Sequence, residues 1–248
     1  MSPTAIPGNL LLKNGMVITG SEKNPVDLYR SNVSLLLHGD GANGSTTIVD
    51  SSPSPKSAIP TSVVLSTAQS KFGGSSILFS FQTSRIQLEL NNAFDFSNDN
   101  LTIESWVYFS SLAFSNPNIW SQRTNLSNGI TFRLNRVPGG ATLGFFYDNI
   151  GTGNTNGVTV MPPDSWHHIA LTREGSLFKL WLNGNLDATS SPITASMTSV
   201  VAPRVGASAS SGNEGYTGYI DDLRITKGIA RYTANFTPPT APFPEVLG

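Results

Sequence analysis

The sequence predicts an all-β fold, an antiparallel sandwich preceded by a hairpin-containing arm. From Val33 onward, strand-length segments rich in β-branched and aromatic residues alternate with turn pairs such as Asp40-Gly41 and Asn183-Gly184. The 23 glycines and 16 prolines are spread evenly along the chain, which argues against long helices. No amphipathic helix of about ten or more residues can be placed. Short strands separated by turns therefore predict an all-β fold.

Charge and composition exclude several classes of protein. The 15 Lys and Arg residues nearly balance the 16 Asp and Glu residues, so no basic face for nucleic acid is expected. The absence of cysteine excludes disulfides, thiolate zinc sites and cysteine nucleophiles. No stretch approaches about 18 apolar residues, so no membrane insertion is expected. The N-terminus lacks the basic and apolar regions of a secretion signal, which predicts a soluble protein made in the cytoplasm.

Residues 1–30 are predicted to form an attachment arm. Two apolar runs, Leu10–Leu12 and Met16–Ile18, flank the turn pair Asn14-Gly15, which is typical of a β-hairpin. A lone two-stranded hairpin is marginally stable in water. We therefore expect this hairpin to dock on the main domain or on another subunit.

Nine strands are predicted after the arm. Two pairs of them should form hairpins, Ile130–Leu134 with Leu143–Tyr147 and Trp166–Arg173 with Leu177–Leu182, because glycine-containing turns join their members. In Leu101–Phe109 the period of two places Glu104 on the face opposite the apolar residues, a face expected to be concave and partly open. The predicted strands are Ser34–His38, Ser76–Phe81, Ile86–Leu90, Leu101–Phe109, Ile130–Leu134, Leu143–Tyr147, His167–Thr172, Leu177–Leu182 and Tyr219–Ile225.

Six motifs follow one another over about residues 33–238: Ser34–Thr47, Lys71–Phe79, Leu101–Tyr108, Trp166–Arg173, Leu180–Gly184 and Gly218–Ile225. In this order they resemble the motifs of concanavalin A-like, laminin-G-like jelly-roll domains. The ending Gly228–Phe243 is similar to the version of this domain in bacteriophage and prophage structural proteins. The resemblance implies a two-sheet jelly roll over residues 31–238, followed by a Pro-rich tail at 239–248.

The same resemblance implies a function. It points to a non-enzymatic virion structural protein, in a tail, fibre or capsid-decoration position, made in the host cytoplasm and displaying a lectin-like, glycan-binding surface. The expected partners are other virion proteins through residues 1–30, further copies of the chain in a homo-oligomeric assembly, and host surface glycans. The alternative is a secreted or cell-surface protein of the same fold that binds or cleaves glycans.

A glycosidase of this fold needs two carboxyl groups roughly 5–10 Å apart. No two of the 16 acidic residues stand two positions apart on one strand; Asp221 and Asp222 point to opposite faces, and Asp95 and Asp99 lie in a polar loop. A cross-strand pair that includes Glu104 stays open. The sequence therefore favours a protein without catalytic residues.

The resemblance also implies a structural calcium site. Its ligands would be Asp40, a backbone carbonyl of Gly73 or Gly74, and Asp221, all oxygen donors of the kind calcium takes. The alternative is that Asp40-Gly41 is only a turn pair and that Asp221 accepts hydrogen bonds from neighbouring backbone.

Aromatic residues beside polar loop residues are the candidates for a glycan site, because sugars offer both apolar C–H patches and hydroxyl groups. Those with polar neighbours in loops are Trp120, Tyr147 with Asn149, and Tyr216. Three further tryptophans lie within strand patterns and are predicted to be packing residues: Trp106, Trp166 and Trp181.

Overall fold

The computed structural model describes residues 10–12, 16–18, 26–112, 116–123, 129–147, 154–197, 201–208 and 214–247. Two short 3-10 turns, Arg30–Asn32 and Asn92–Phe94, interrupt an otherwise β structure. The strands are β1 (Leu10–Leu12), β2 (Met16–Ile18), β3 (Val26–Asp27), β4 (Val33–Leu37), β5 (Ala58–Thr61), β6 (Val63–Ser66), β7 (Ser76–Phe79), β8 (Arg85–Leu88), β9 (Leu101–Tyr108), β10 (Asn118–Gln122), β11 (Ile130–Val137), β12 (Gly140–Tyr147), β13 (Thr155–Asn156), β14 (Trp166–Glu174), β15 (Leu177–Leu182), β16 (Asn185–Thr189), β17 (Arg204–Val205), β18 (Gly218–Lys227) and β19 (Val246–Leu247).

Two antiparallel sheets form a sandwich, which confirms the predicted fold class. The seven-stranded sheet runs in the order β13-β12-β11-β10-β17-β8-β5. The eight-stranded sheet runs β16-β15-β14-β9-β18-β7-β6, and β4 also pairs with β18. One continuous apolar core lies between the sheets; its members include Phe79, Ile103, Phe132, Leu171 and Leu223.

All nine predicted strands coincide with observed strands, and both predicted hairpins after the arm are present. The β14–β15 hairpin pairs Ile169 with Leu182, and the β11–β12 hairpin pairs Ile130 with Tyr147. Four strands of four or five residues were not predicted: β5, β6, β10 and β16. In β5, Pro60 has no N–H group to donate to a neighbouring strand; it is tolerated because β5 lies at the edge of its sheet.

The period-two reading of β9 is correct for its inner face and wrong for its outer face. Ile103 and Val107 join the core, as expected. The outer face was expected to be partly open, but Glu104 is fully buried and Trp106 is 6 % exposed. Of the predicted outer residues, only Tyr108, at the end of the strand, is partly exposed.

The segment Gly228–Phe243, called the strap here, covers much of that outer face. Tyr232 of the strap clusters with Ala170 and Trp181 of the sheet. Phe243, at the end of the strap, packs on Leu36 and donates its backbone N–H to Asp222 Oδ2 at 2.7 Å. The strap therefore leaves only parts of the outer face in contact with solvent.

The N-terminal hairpin is confirmed, with Leu11 opposite Val17. It extends into a separate four-stranded sheet of order β1-β2-β3-β19, in which the parallel β3–β19 pair joins the two ends of the chain. The division into arm, jelly roll and tail at residues 30 and 238 stays a prediction. Among the described residues, no helix is long and apolar enough to cross a membrane.

Candidate functional site

Three aromatic side chains stand side by side at one end of the outer face of the eight-stranded sheet. Register places Tyr108 of β9 between Trp166 of β14 and Tyr219 of β18. The ring centroids of Trp166 and Tyr108 are 5.7 Å apart, and those of Tyr108 and Tyr219 are 5.8 Å apart. All three are partly exposed. This aromatic row of Trp166, Tyr108 and Tyr219 lies beyond the part of the sheet that the strap covers.

The apolar surface continues beyond the aromatic row. Leu78 of β7 lies opposite Tyr219, and Val64 of β6 lies opposite Leu78; both are partly exposed. Five adjacent strands therefore contribute one outward apolar residue each, over roughly 19 Å at about 4.8 Å per strand. A polar group stands beside the row, because Tyr108 donates its hydroxyl to Asp164 Oδ1 at 3.5 Å.

Sequence reasoning assigned Trp166 to packing because it lies in a strand pattern. The structure corrects this assignment: Trp166 begins β14 at the end of the sandwich, where its indole stays partly exposed. The signal that could have found the row is the antiparallel pairing of β9 with β14, since Tyr108 already stood on the outer face of β9.

The aromatic residues predicted for glycan binding lie inside the protein. Trp120 is fully buried, with its ring centroid 5.4 Å from that of Phe94. Tyr147 is 1 % exposed and donates its hydroxyl to Ser196 O at 3.2 Å. The prediction that these rings face a sugar is therefore wrong, because a buried ring has no free face.

Tyr216 is also fully buried, so it has no free face either. It donates its hydroxyl to the carbonyls of Tyr108 at 2.7 Å and Tyr219 at 3.2 Å, and burial raises its pKa well above the ordinary value. Tyr216 thus supports the backbone beneath the aromatic row. The fourth candidate, Asn149, lies outside the described residues.

Glu104 is enclosed beneath the strap. Its Oε1 accepts hydrogen bonds from Arg224 Nη2 at 2.7 Å and Nε at 2.9 Å, and its Oε2 accepts the hydroxyl of Tyr232 at 2.5 Å. Nε2 of the buried His168 lies 3.4 Å from Oε2. Burial alone would raise the pKa of Glu104, but the charge of Arg224 holds it well below the usual range. This carboxylate is ionised, paired and out of reach of a substrate.

Asp40 and Asp221, two of the predicted calcium ligands, both contact the segment 67–75, which contains Gly73 and Gly74. A Cβ added to Gly73 would overlap the carboxylate of Asp40, so this carboxylate lies directly against that glycine. Asp221 Oδ2 accepts the backbone N–H groups of Lys71 at 2.7 Å and Phe72 at 3.1 Å. The other oxygen of Asp221, Oδ1, is buried and has no hydrogen-bond partner among the described residues.

This donor set fits a calcium ion. Burial, with smaller contributions from the Asp222 and Asp40 carboxylates, raises the pKa of Asp221 to about 7, while the two backbone N–H donors oppose the shift. A cation would compensate this charge. The described residues hold no group of three or more His, Cys, Asp or Glu side chains suited to a metal, so the remaining ligands would be backbone carbonyls and water.

The family model of the Concanavalin A-like lectin/glucanases superfamily matches residues 82–230, more than half of the chain. No curated protein sequence matches the chain. Among solved structures, the chain is similar to the binding domain of Paraclostridial Mosquitocidal Protein 1, with a TM-score of 0.60, 15% identity, and coverage of 82% of this chain and 51% of that one.

Two further solved structures are similar to the chain. Domain 4 of AbnA, a GH43 extracellular arabinanase from Geobacillus stearothermophilus, in complex with arabinotriose, has a TM-score of 0.58 and 16% identity, covering 81% of this chain and 95% of that one. The binding domain of Botulinum Neurotoxin DC in complex with SialylT has a TM-score of 0.55 and 14% identity, covering 82% of this chain and 49% of that one. The chain thus spans about half the length of the toxin binding domains. At these identities the similarity establishes the fold.

Proposed function

The chain belongs to the Concanavalin A-like lectin/glucanases superfamily, and from this premise we propose that it is a non-enzymatic carbohydrate-binding protein. The observation that carries the proposal is the aromatic row. Aromatic rings stack on the apolar C–H faces of sugars, and neighbouring polar groups take up the hydroxyls. Asp164, beside Tyr108, supplies a hydroxyl acceptor at the row.

The geometry of the row favours a single glycan chain as ligand. The ring planes of Trp166 and Tyr108 are inclined by 55°, and those of Tyr108 and Tyr219 by 78°. Rings inclined in this way cannot lie flat against the surface of a crystalline polysaccharide. They can instead contact successive sugar units of one flexible chain that runs across the strands.

The solved neighbours support this proposal. One of them, which the similarity covers to 95%, holds arabinotriose, so the sandwich architecture is compatible with a sugar ligand. Glu104 supports the non-enzymatic part, because general acid catalysis needs a carboxyl group that reaches the substrate. Its two oxygens instead accept hydrogen bonds from Arg224 and Tyr232.

We further propose that Asp40, Asp221 and a carbonyl of Gly73 or Gly74 hold a structural calcium ion. The unpartnered Oδ1 of Asp221 supports this proposal. An ion at this place would fix the segment 67–75 on the sheet next to the aromatic row, because Asp221 and Tyr219 lie two residues apart on β18.

As the biological setting, we propose a virion of a bacteriophage, in a tail, fibre or capsid-decoration position, with host surface glycans as ligands. The support is the phage-like ending of the sequence together with the separate four-stranded sheet that contains the arm. In this setting the arm contacts other virion proteins, and the chain is repeated within a homo-oligomeric assembly. A secreted or cell-surface glycan-binding protein is the alternative; it would display the same aromatic row without joining a particle.

The test is glycan-array binding by the wild type, Trp166→Ala and the matched control Phe146→Ala, which truncates a partly exposed ring on the opposite sheet. We expect glycan binding without release of reducing ends, a loss of tenfold or more in Trp166→Ala, and no loss in the control. Equal binding by Trp166→Ala and the wild type would exclude the aromatic row as the site.

A further inference from the structure

The seven-stranded sheet has an unusual charge composition. None of its strands contains an Asp or Glu residue. Three arginines point outward from it, Arg85 on β8, Arg133 on β11 and Arg204 on β17, because their strand neighbours Ile86, Phe132 and Val205 point into the core. Arg85 and Arg204 therefore make a positively charged area on the outer face of this sheet, opposite to the aromatic row, on a chain with a net charge of −1.

Two of these arginines lie close together without a compensating charge. Arg204 lies opposite Gln87, which stands two residues from Arg85 on the same face. Arg204 donates its Nε–H to Gln87 Oε1 at 2.6 Å and its Nη1–H to Ser208 O at 2.9 Å, and Arg85 donates to Thr83 O. Within the part of the chain that the structure describes, neither guanidinium has a carboxylate within 4.0 Å.

The electrostatics agree with this geometry. Burial and then the positive charge of Arg85 lower the pKa of the Arg204 guanidinium. Like charges that are held together without an anion repel each other. An anionic group between the two guanidinium groups would remove this repulsion, and the planar fork of arginine suits carboxylate and sulfate oxygens.

We propose that Arg85 and Arg204 form a second binding site, separate from the aromatic row, for the sulfate or carboxylate groups of an acidic glycan. Both arginine side chains are partly exposed, so a charged group of such a chain can reach them. Three outward arginines are few for nucleic acid, which is typically held by about 6–10 phosphate contacts.

The test uses dextran sulfate and unsulfated dextran of the same length, with binding measured by calorimetry at low salt. The double variant Arg85→Gln/Arg204→Gln removes the site. Arg136→Gln/Lys179→Gln removes two positive charges elsewhere and is the matched control, since Arg136 donates to Leu112 O at the end of the sandwich and Lys179 pairs with Glu174 on the other sheet. Arg85→Lys/Arg204→Lys keeps the charge without the planar fork. Thermal melting checks that each variant is folded.

We expect the wild type to bind dextran sulfate and not dextran. The double glutamine variant should lose tenfold or more in affinity, the lysine variant should retain part of it, and the control and Trp166→Ala should bind like the wild type. The site is overturned if the double glutamine variant binds dextran sulfate as tightly as the control does, or if dextran binds equally well. Loss of dextran sulfate binding in Trp166→Ala would show that the anion binds at the aromatic row and not at the arginines. Binding of duplex DNA as tight as that of dextran sulfate would show that the arginines bind nucleic acid instead. A negative result for the arginine site would not contradict the proposed glycan binding at the aromatic row, because that proposal is tested with different glycans and a different variant.

Discussion

At the scale of single residues, oppositely charged side chains that are buried beneath the strap form ion pairs. Arg231 donates to both carboxylate oxygens of Asp27 at 2.9 and 2.8 Å, and Arg224 donates to Asp27 and Glu104. A buried ion pair need not be more stable than an apolar pair of the same shape, but removal of one partner leaves the other charge uncompensated. The group therefore fixes the strap in one position and makes each of its members difficult to replace.

Glu104→Gln tests this arrangement. The substitution leaves Arg224 without its main partner and should lower the free energy of unfolding by about 3–5 kcal/mol, as measured by urea denaturation at neutral pH. Tyr232→Phe, which removes one hydrogen bond and no charge, should cost only about 1–3 kcal/mol. Because the pKa of Glu104 is lower in the folded than in the unfolded state, its stabilisation is present at neutral pH and is lost as the pH falls below about 4. Glu104→Gln should thus flatten the loss of stability in acid; an unchanged profile would contradict the ionised state of Glu104.

The exposure of aromatic residues is the feature that sequence predicts least well here. Trp120 and Tyr147 have polar neighbours, yet both lie on inward positions of β10 and β12. Trp166 and Tyr219 lie in strand patterns, yet they stand at the end of the sheet that the strap leaves uncovered. For Trp166, coverage of the outer face depends on the strap, which begins more than sixty residues further along the chain, and no local pattern contains that information.

At the scale of elements, strands and hairpins were predictable because side-chain alternation and glycine turns are local. The calcium ligands come from three distant segments and were aligned only by the resemblance, so they stay a prediction, although Asp40 and Asp221 both contact the segment 67–75. The segment 67–75 is positioned by Asp221, which accepts the N–H groups of Lys71 and Phe72. Its two consecutive glycines, Gly73 and Gly74, have φ angles of +59° and +86°.

Gly73→Ala and Gly74→Ala form a matched pair for the proposed calcium site. Both substitutions place an alanine in the left-handed region, which costs roughly 1–2 kcal/mol. Only the new Cβ at position 73 would displace the Asp40 carboxylate, since nothing lies within 4 Å of a Cβ at position 74. We expect calcium to raise the melting temperature of the wild type and of Gly74→Ala but not of Gly73→Ala. A wild-type melt that is the same in calcium and in chelator would reject the metal and leave Asp221 as a hydrogen-bond acceptor.

At the scale of the whole molecule, the two ends of the chain are joined next to the sandwich. Strands β3 and β19 pair in parallel, with Val26 opposite Val246. Asp27, one residue further, reaches Arg231 and Arg224 in the buried ion group. The sandwich therefore depends on the last residues of the predicted arm, whereas β1 and β2 connect to it through β3.

Truncation at two positions separates attachment from folding. Removal of residues 1–30 deletes Asp27, leaves Arg231 and Arg224 with one buried carboxylate between them, and should lower the free energy of unfolding by about 3–5 kcal/mol. Removal of residues 1–25 deletes the hairpin and keeps Asp27 in place, so urea denaturation should give a free energy of unfolding close to that of the full chain.

If the arm attaches the protein to a particle, the 1–25 deletion should be folded and should bind glycan through the aromatic row. It should nevertheless fail to co-sediment with particles assembled in its presence. Full-length Trp166→Ala should show the opposite behaviour, joining particles without binding glycan. Normal incorporation of the 1–25 deletion would exclude the hairpin as the attachment element.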